Sequence, residues 1–281
     1  MNNSGTTYIT NAINVANSGT GLVSIGGTNT AANQANAWTG TMTLNRNVQF
    51  FGDTTPGSSG RSSFNGQITG VGGITITAGR VSLANSNSNN NFTGPVVVNS
   101  GATLQLDVQQ GFNEQIPNAS AVTVNGFLNF ASGGGAETIG SLSGSGTISS
   151  AVPGIYSLIV GNSNSTTFSG LITDGSGSTI SLTQNGTGTL TLSGTNTYTG
   201  TTTVTNGSLV ISGLLGGGSY SAIITNNASL IFSNSGAQTL SGAISGSGSF
   251  TMAGAGTTTF TGTNTYTGLT TVNAGLLTNK P

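Results

Sequence analysis

Residues 193–204 read SGTNTYTGTTTV and residues 261–272 read TGTNTYTGLTTV, so the phrase TNTYTG is written twice, 68 residues apart. Threonine and tyrosine are strand formers, and glycine permits a corner or a close approach of backbone. The phrase therefore reads as extended chain ending at a corner. Short apolar pairs with one residue between them surround it: Ile74–Ile76, Val81–Leu83, Leu104–Leu106, Val122–Val124, Leu128–Phe130, Leu158–Val160, Ile180–Leu182, Leu190–Leu192, Leu209–Ile211, Leu230–Phe232 and Phe250–Met252. The two members of each pair share one face of a strand. Glycine, asparagine and serine fill the intervals as turn residues. Helical periodicity is hard to find, so the chain is expected to be nearly all β.

Longer phrases also recur. Residues 127–148, FLNFASGGGAETIGSLSGSGTI, echo residues 229–250, SLIFSNSGAQTLSGAISGSGSF, about 102 positions on. Residues 64–76, FNGQITGVGGITI, are echoed from Phe168 by FSGLITDGSGSTISL. Each is followed by an aromatic-x-Gly phrase, Phe92-Thr93-Gly94 or Tyr198-Thr199-Gly200. A β-sandwich also has short strands, but repeated phrases in one order point to a solenoid of stacked coils. In such a stack Tyr198 and Tyr266 are expected at one recurring position of the coil, each ring against neighbours above and below. Gly200 and Gly268 are expected to form the corner, and Phe92 with Gly94 to be a degenerate copy. The domain expectation is one solenoid over 1–281, with less regular coils or a cap at 1–63 and repeat-bearing coils at 64–281.

Composition narrows the function classes. The chain has 4 Lys+Arg, 5 Asp+Glu and neither His nor Cys, a net charge of −1. Charged residues are 3%, against about 25% in ordinary soluble proteins. No basic stripe exists to hold phosphates, which argues against nucleic acid. Without Cys or His there is neither disulfide nor the usual transition-metal ligand set. Gly, Ser, Thr and Asn raise a disorder reading, but 34% hydrophobic residues in regular alternation oppose it. Coils stacked about 4.8 Å apart set like residues over like, so charges would repel. Residues 1–10, MNNSGTTYIT, show neither a basic nor an apolar leader region, and no apolar run is long enough to span a membrane.

Residues 190–211, LTLSGTNTYTGTTTVTNGSLVI, and 257–277, TTTFTGTNTYTGLTTVNAGLL, resemble the autotransporter-associated β-strand repeat, or passenger-associated transport repeat. The copy at Asn91-Phe92-Thr93-Gly94 has Phe for Tyr and Pro95 after the glycine. The likeness covers residues 64–277. It implies an elongated, right-handed, single-stranded parallel β-helix from a passenger of a type V secreted bacterial surface protein. It also implies an extracellular or cell-surface location, with membrane attachment only through a translocator barrel that these residues do not contain.

Chemistry is sparse. The acids are Asp53, Asp107, Glu114, Glu137 and Asp174; the bases are Arg46, Arg61, Arg80 and Lys280. Paired carboxylates, or Asp with Arg, would signal a polysaccharide-acting enzyme, yet these acids are far apart in sequence. Glu137 aligns with Gln238, which favours a turn residue over a catalytic acid. Asp53 with Arg46 and Arg61 reads as a surface ion pair, and Trp38 as a core or capping residue. Repeated threonines raise ice binding through Thr ladders. Gly72-Gly73 and Gly133-Gly134-Gly135 lack the acids of calcium nonapeptides, and Gly216-Gly217-Gly218 reads as a loop. The expected function is a structural or adhesive rod with no catalytic residue, cofactor or metal. Its expected partners are its own copies, end to end or laterally, and glycans or matrix.

Overall fold

The computed structural model describes residues 6–28, 35–54, 60–85, 89–107 and 114–280. Within them every paired strand is parallel to its partner, and successive partners lie one coil apart. The chain winds as a parallel β-helix of about eleven coils. Among the described residues helix is confined to one short 3₁₀ turn, Gly216–Gly218, where a loop was expected. Among the described residues no helix is long and apolar enough to cross a membrane.

Each coil carries three strand positions, and their stacking makes three faces. Face 1 begins with Thr7–Ile9, Ala35–Trp38, Arg61–Phe64 and Arg80–Leu83, and runs on to Leu171–Ile172. It resumes with Ser219–Tyr220, Ala237–Leu240, Thr257–Phe260 and Leu276–Asn279. Face 2 starts with Ile13–Val15, Met42–Leu44 and Ile68–Gly70, and resumes from Gly135–Ile139 through Gly154–Val160 and Ser178–Gln184 to Ile244–Ser245. Face 3 runs from Ser24–Gly26 to Ser141–Ser143. A single parallel bridge, Gly144 to Phe168, carries it into a second sheet from Thr166–Phe168 to Thr270–Val272.

The alternation read from the sequence fixes which side chains point inward. Ile180, Leu182, Leu190, Leu192, Leu209, Ile211, Leu230 and Phe232 are all fully buried, while Thr191, Val210 and Ile231 between them face outward. Register then places like on like: Leu190 over Leu209, Leu209 over Leu230, Leu230 over Phe250. Each such aliphatic contributes roughly 1.5–3 kcal/mol by leaving water. Trp38 lies inside the first coils, its ring stacked on Phe64 at 4.8 Å, and Phe64 stacks on Phe50 at 4.0 Å.

Coil length is not constant. Asn36 pairs with Ser62, 26 residues on, whereas Leu190 pairs with Leu209, only 19 on. The slack is taken up mostly at corners; within the strands one pairing shifts register, from Phe50 opposite Ile76 to Phe51 opposite Ala78.

Candidate functional site

The recurring phrase does not form strand along its whole length. At Asn90, Asn196 and Asn264 the chain passes a face without continuing its ladder, and the asparagine side chain replaces the missing backbone partner. Oδ1 of Asn90 accepts the Ile68 N–H at 2.8 Å, that of Asn196 the Ile172 N–H at 2.9 Å, and that of Asn264 the Ile244 N–H at 2.8 Å. The next residue donates its own N–H to the carbonyl of the same isoleucine: Asn91 to Ile68, Thr197 to Ile172, Thr265 to Ile244. Each latch thus satisfies both backbone groups of one isoleucine in the preceding coil. Asn90 and Asn196 are buried, where an unpaired amide is costly. Sequence reading passed over these asparagines. Their fixed place two residues before the aromatic was the available signal.

The aromatic packs inward. Phe92 and Tyr198 are fully buried, and Tyr266 is half-buried in the last coils. The Tyr198 hydroxyl lies 2.8 Å from Thr202 Oγ1, and that of Tyr266 lies 2.6 Å from Thr270 Oγ1. Where the aromatic is Phe92, the residue four further on is Val96, so hydroxyls are present in pairs or not at all. Thr202 Oγ1 also lies 2.7 Å from the Tyr220 hydroxyl, which donates to the Gly200 carbonyl. Burial raises the pKa of both Tyr198 and Tyr220.

Gly94, Gly200 and Gly268 are required, for a reason other than the corner torsion expected of them. Their torsions lie outside the left-handed region, but a Cβ would sit 2.2 Å from Gly73 N, 2.2 Å from Ile180 O and 2.1 Å from Gly248 O respectively. Here the backbone touches the coil below, and only glycine leaves room.

Tyr198 and Tyr266 share a local motif but not a column. Asn196 and Tyr198 extend face 1 above Ile172, whereas Asn264 and Tyr266 lie above Ile244 on face 2, as Asn90 and Phe92 lie above Ile68. The separation of 68 residues amounts to about three and one-third coils, which moves the motif to the next face. Tyr198 instead meets Tyr220 edge-on at 5.7 Å, and Tyr266 meets Phe250 at 6.3 Å.

Glu137 also departs from the sequence reading. It is an inward-facing strand residue, not a turn residue, and it pairs with Leu158 in register. Its carboxyl oxygens accept the Gln115 N–H at 2.9 Å and the Ile116 N–H at 2.5 Å. Gln238 does the equivalent work on face 1, accepting the Leu215 N–H at 2.9 Å and donating to the Leu215 carbonyl at 3.0 Å. Complete burial pushes the Glu137 pKa up to about 8; the two N–H donors oppose that shift and nearby Glu114 adds to it.

Arg46 donates to the carbonyls of Gly19, at 2.8 Å, and Gly21. Asp53 lines a cavity of about 280 Å³ with Thr54, Gly60, Gly79, Arg80, Gly101 and Thr103. Asp107 accepts from Ser82 at 2.9 Å, and Asp174 from Ile180 N at 2.7 Å and Thr199 N at 2.9 Å. Among the described residues no three acids are grouped to hold a metal ion. The outward column Thr167, Thr191, Val210, Ile231, Thr251, Thr271 on face 3 is broken by two aliphatic residues.

These features define a parallel β-helix whose coils are latched by recurring asparagines. The family model of the passenger-associated transport repeat matches residues 78–106, 182–211 and 250–278, and the chain carries three copies of that repeat. The repeat and the solenoid fit an autotransporter passenger, and the family implies a secreted or surface protein. No curated protein and no solved structure matches the chain.

Proposed function

We propose that the chain is a stiff, nearly uncharged rod of a bacterial surface protein, which holds or displays binding surface away from the cell. The observation that carries this reading is the stack of parallel coils itself. Three faces of parallel strands share one aliphatic interior, and the buried side chains of Asn90, Asn196, Glu137 and Gln238 latch coil to coil. The outer surface carries hydroxyls and amides with scattered exposed aliphatics such as Val71, Ile155 and Leu269, suited to broad contact with glycans, matrix or like surfaces and not to one deep pocket. Imaging of single particles tests the reading. About eleven coils at about 4.8 Å each give a rod of roughly 50 Å; a compact sphere sinks the proposal. A glycan and matrix array then separates adhesion from spacing, and micrographs over a range of concentrations separate monomers from filaments or lateral pairs.

The alternative of a polysaccharide-acting enzyme has one observation in its favour, the cavity that Asp53 and Arg80 line together. Product release from polysaccharides that is lost in Asp53→Asn would establish it.

A further inference from the structure

Four Asn-Gly dipeptides lie at corners of the helix: Asn65-Gly66, Asn125-Gly126, Asn185-Gly186 and Asn206-Gly207, with every one of these asparagines exposed. Asn-Gly is chemically labile because the glycine nitrogen, unhindered by a side chain, attacks the asparagine Cγ. The attack requires that nitrogen to give up its proton and leave any hydrogen bond it makes. In three of the four it is engaged with the preceding coil: Gly66 N–H donates to Trp38 O at 3.0 Å, Gly126 N–H to Val98 O at 3.1 Å, and Gly186 N–H to Val160 O at 3.1 Å. Gly207 differs. Its coil is short, and the chain turns back into strand at Ser208, one residue later. Among the described residues its N–H makes no hydrogen bond. The Asn206 amide is held only by its Nδ2, at 3.2 Å from Asn185 O and 3.4 Å from Asn185 Oδ1.

We propose that Asn206 is a site of spontaneous covalent modification, selected among the four by this free amide. The Gly207 nitrogen forms a bond to Asn206 Cγ, the Cγ–Nδ2 bond breaks and ammonia leaves with the displaced proton. Water then opens the succinimide at either carbonyl, giving aspartate or its isomer with the backbone rerouted through the side chain. The product places a new carboxylate against the Asn185 carbonyl, acceptor facing acceptor, so the corner bond between the two coils is lost. In a chain of net charge −1 the added charge is readily seen.

Peptide mapping of the folded protein, aged at mildly alkaline pH in ¹⁸O-labelled water, tests this. Asn206 should convert about five- to ten-fold faster than Asn65, Asn125 or Asn185, the factor expected where one ordinary hydrogen bond must first be broken. In urea all four should converge, because the dipeptide is the same. Equal rates in the folded protein, or faster conversion at one of the other three, overturn the proposal. So does an Asn206 that stays intact while the urea sample converts. Asn206→Ser should abolish the earliest acidic species on isoelectric focusing; its persistence in that variant also overturns the assignment.

Discussion

Residues 64–148 and 168–252 are two writings of one text, yet they lie on different faces. The first block places Ile68, Asn90 and Glu137 on face 2; the second places Ile172, Asn196 and Gln238 on face 1. Corresponding residues stand 101 to 106 positions apart, about four and two-thirds coils, so the second copy is turned by one face. That the same phrases fold equally well after this turn shows that the three faces are physically interchangeable. Each needs alternating aliphatics inward, glycine where coils touch, and an amide or carboxyl wherever a ladder is interrupted. The repeat is a device for joining one coil to the next, and it does not line up a single functional stripe.

The glycine contacts should break the comparison hardest. Gly200→Ala puts a methyl group against the Ile180 carbonyl, as Gly94→Ala does against Gly73. Both should cost more than about 3 kcal/mol, since backbone must move in two coils. Gly101→Ala has open space around its Cβ and only a left-handed torsion of +78° to bear, so about 1 kcal/mol is expected. Urea denaturation of the three variants checks the ranking.

The Glu137/Gln238 pair sharpens the comparison through pH. Folded Glu137 holds its proton up to about 8, against an ordinary value of 4.5. Between those values the native state binds more protons than the unfolded chain, so stability falls as pH rises from about 5 to 8. The slope approaches about 1.4 kcal/mol per pH unit at most. Glu137→Gln, which copies the second block, should flatten that slope; an unchanged slope would assign it elsewhere.

Removing a latch is expected to cost about 1–3 kcal/mol, because a buried backbone N–H loses its acceptor. Asn196→Ala exposes this at Ile172 and Asn90→Ala at Ile68, whereas Asn264→Ala should cost less, as Asn264 is only partly buried. Native-state hydrogen exchange is the suitable readout, since a stack of coils opens locally. Protection at the Ile172 amide should drop about ten-fold or more.

The smallest effect tests the paired hydroxyls. Thr202→Val removes the hydroxyl that the buried Tyr198 and Tyr220 hydroxyls share, leaving Tyr198 only its contact with Tyr220, and should cost about 1 kcal/mol. Adding Tyr198→Phe reproduces the Phe92/Val96 pair of the first block and should recover most of the loss. A double variant as unstable as the sum of the two singles would disprove the pairing.

Alternation of Leu, Ile, Val and Phe with polar residues was enough to give strands and an aliphatic interior, because a strand's side chains must alternate whatever surrounds them, and the recurrence of phrases in one order pointed to the solenoid. The phrase Asn-Thr-Tyr-Thr-Gly was equally legible as a repeating unit, and a Tyr198 ring packed against neighbouring coils was expected from it. Which face each copy occupies was not legible. Phase accumulates over coils of 19 to 29 residues, and one corner lengthened by a few residues alters it for everything downstream. Nor could sequence alone assign Asn196, Glu137 or Gly200 their work. Each acts on a backbone group some twenty residues earlier, and only the winding of the chain brings that group within hydrogen-bonding or van der Waals reach.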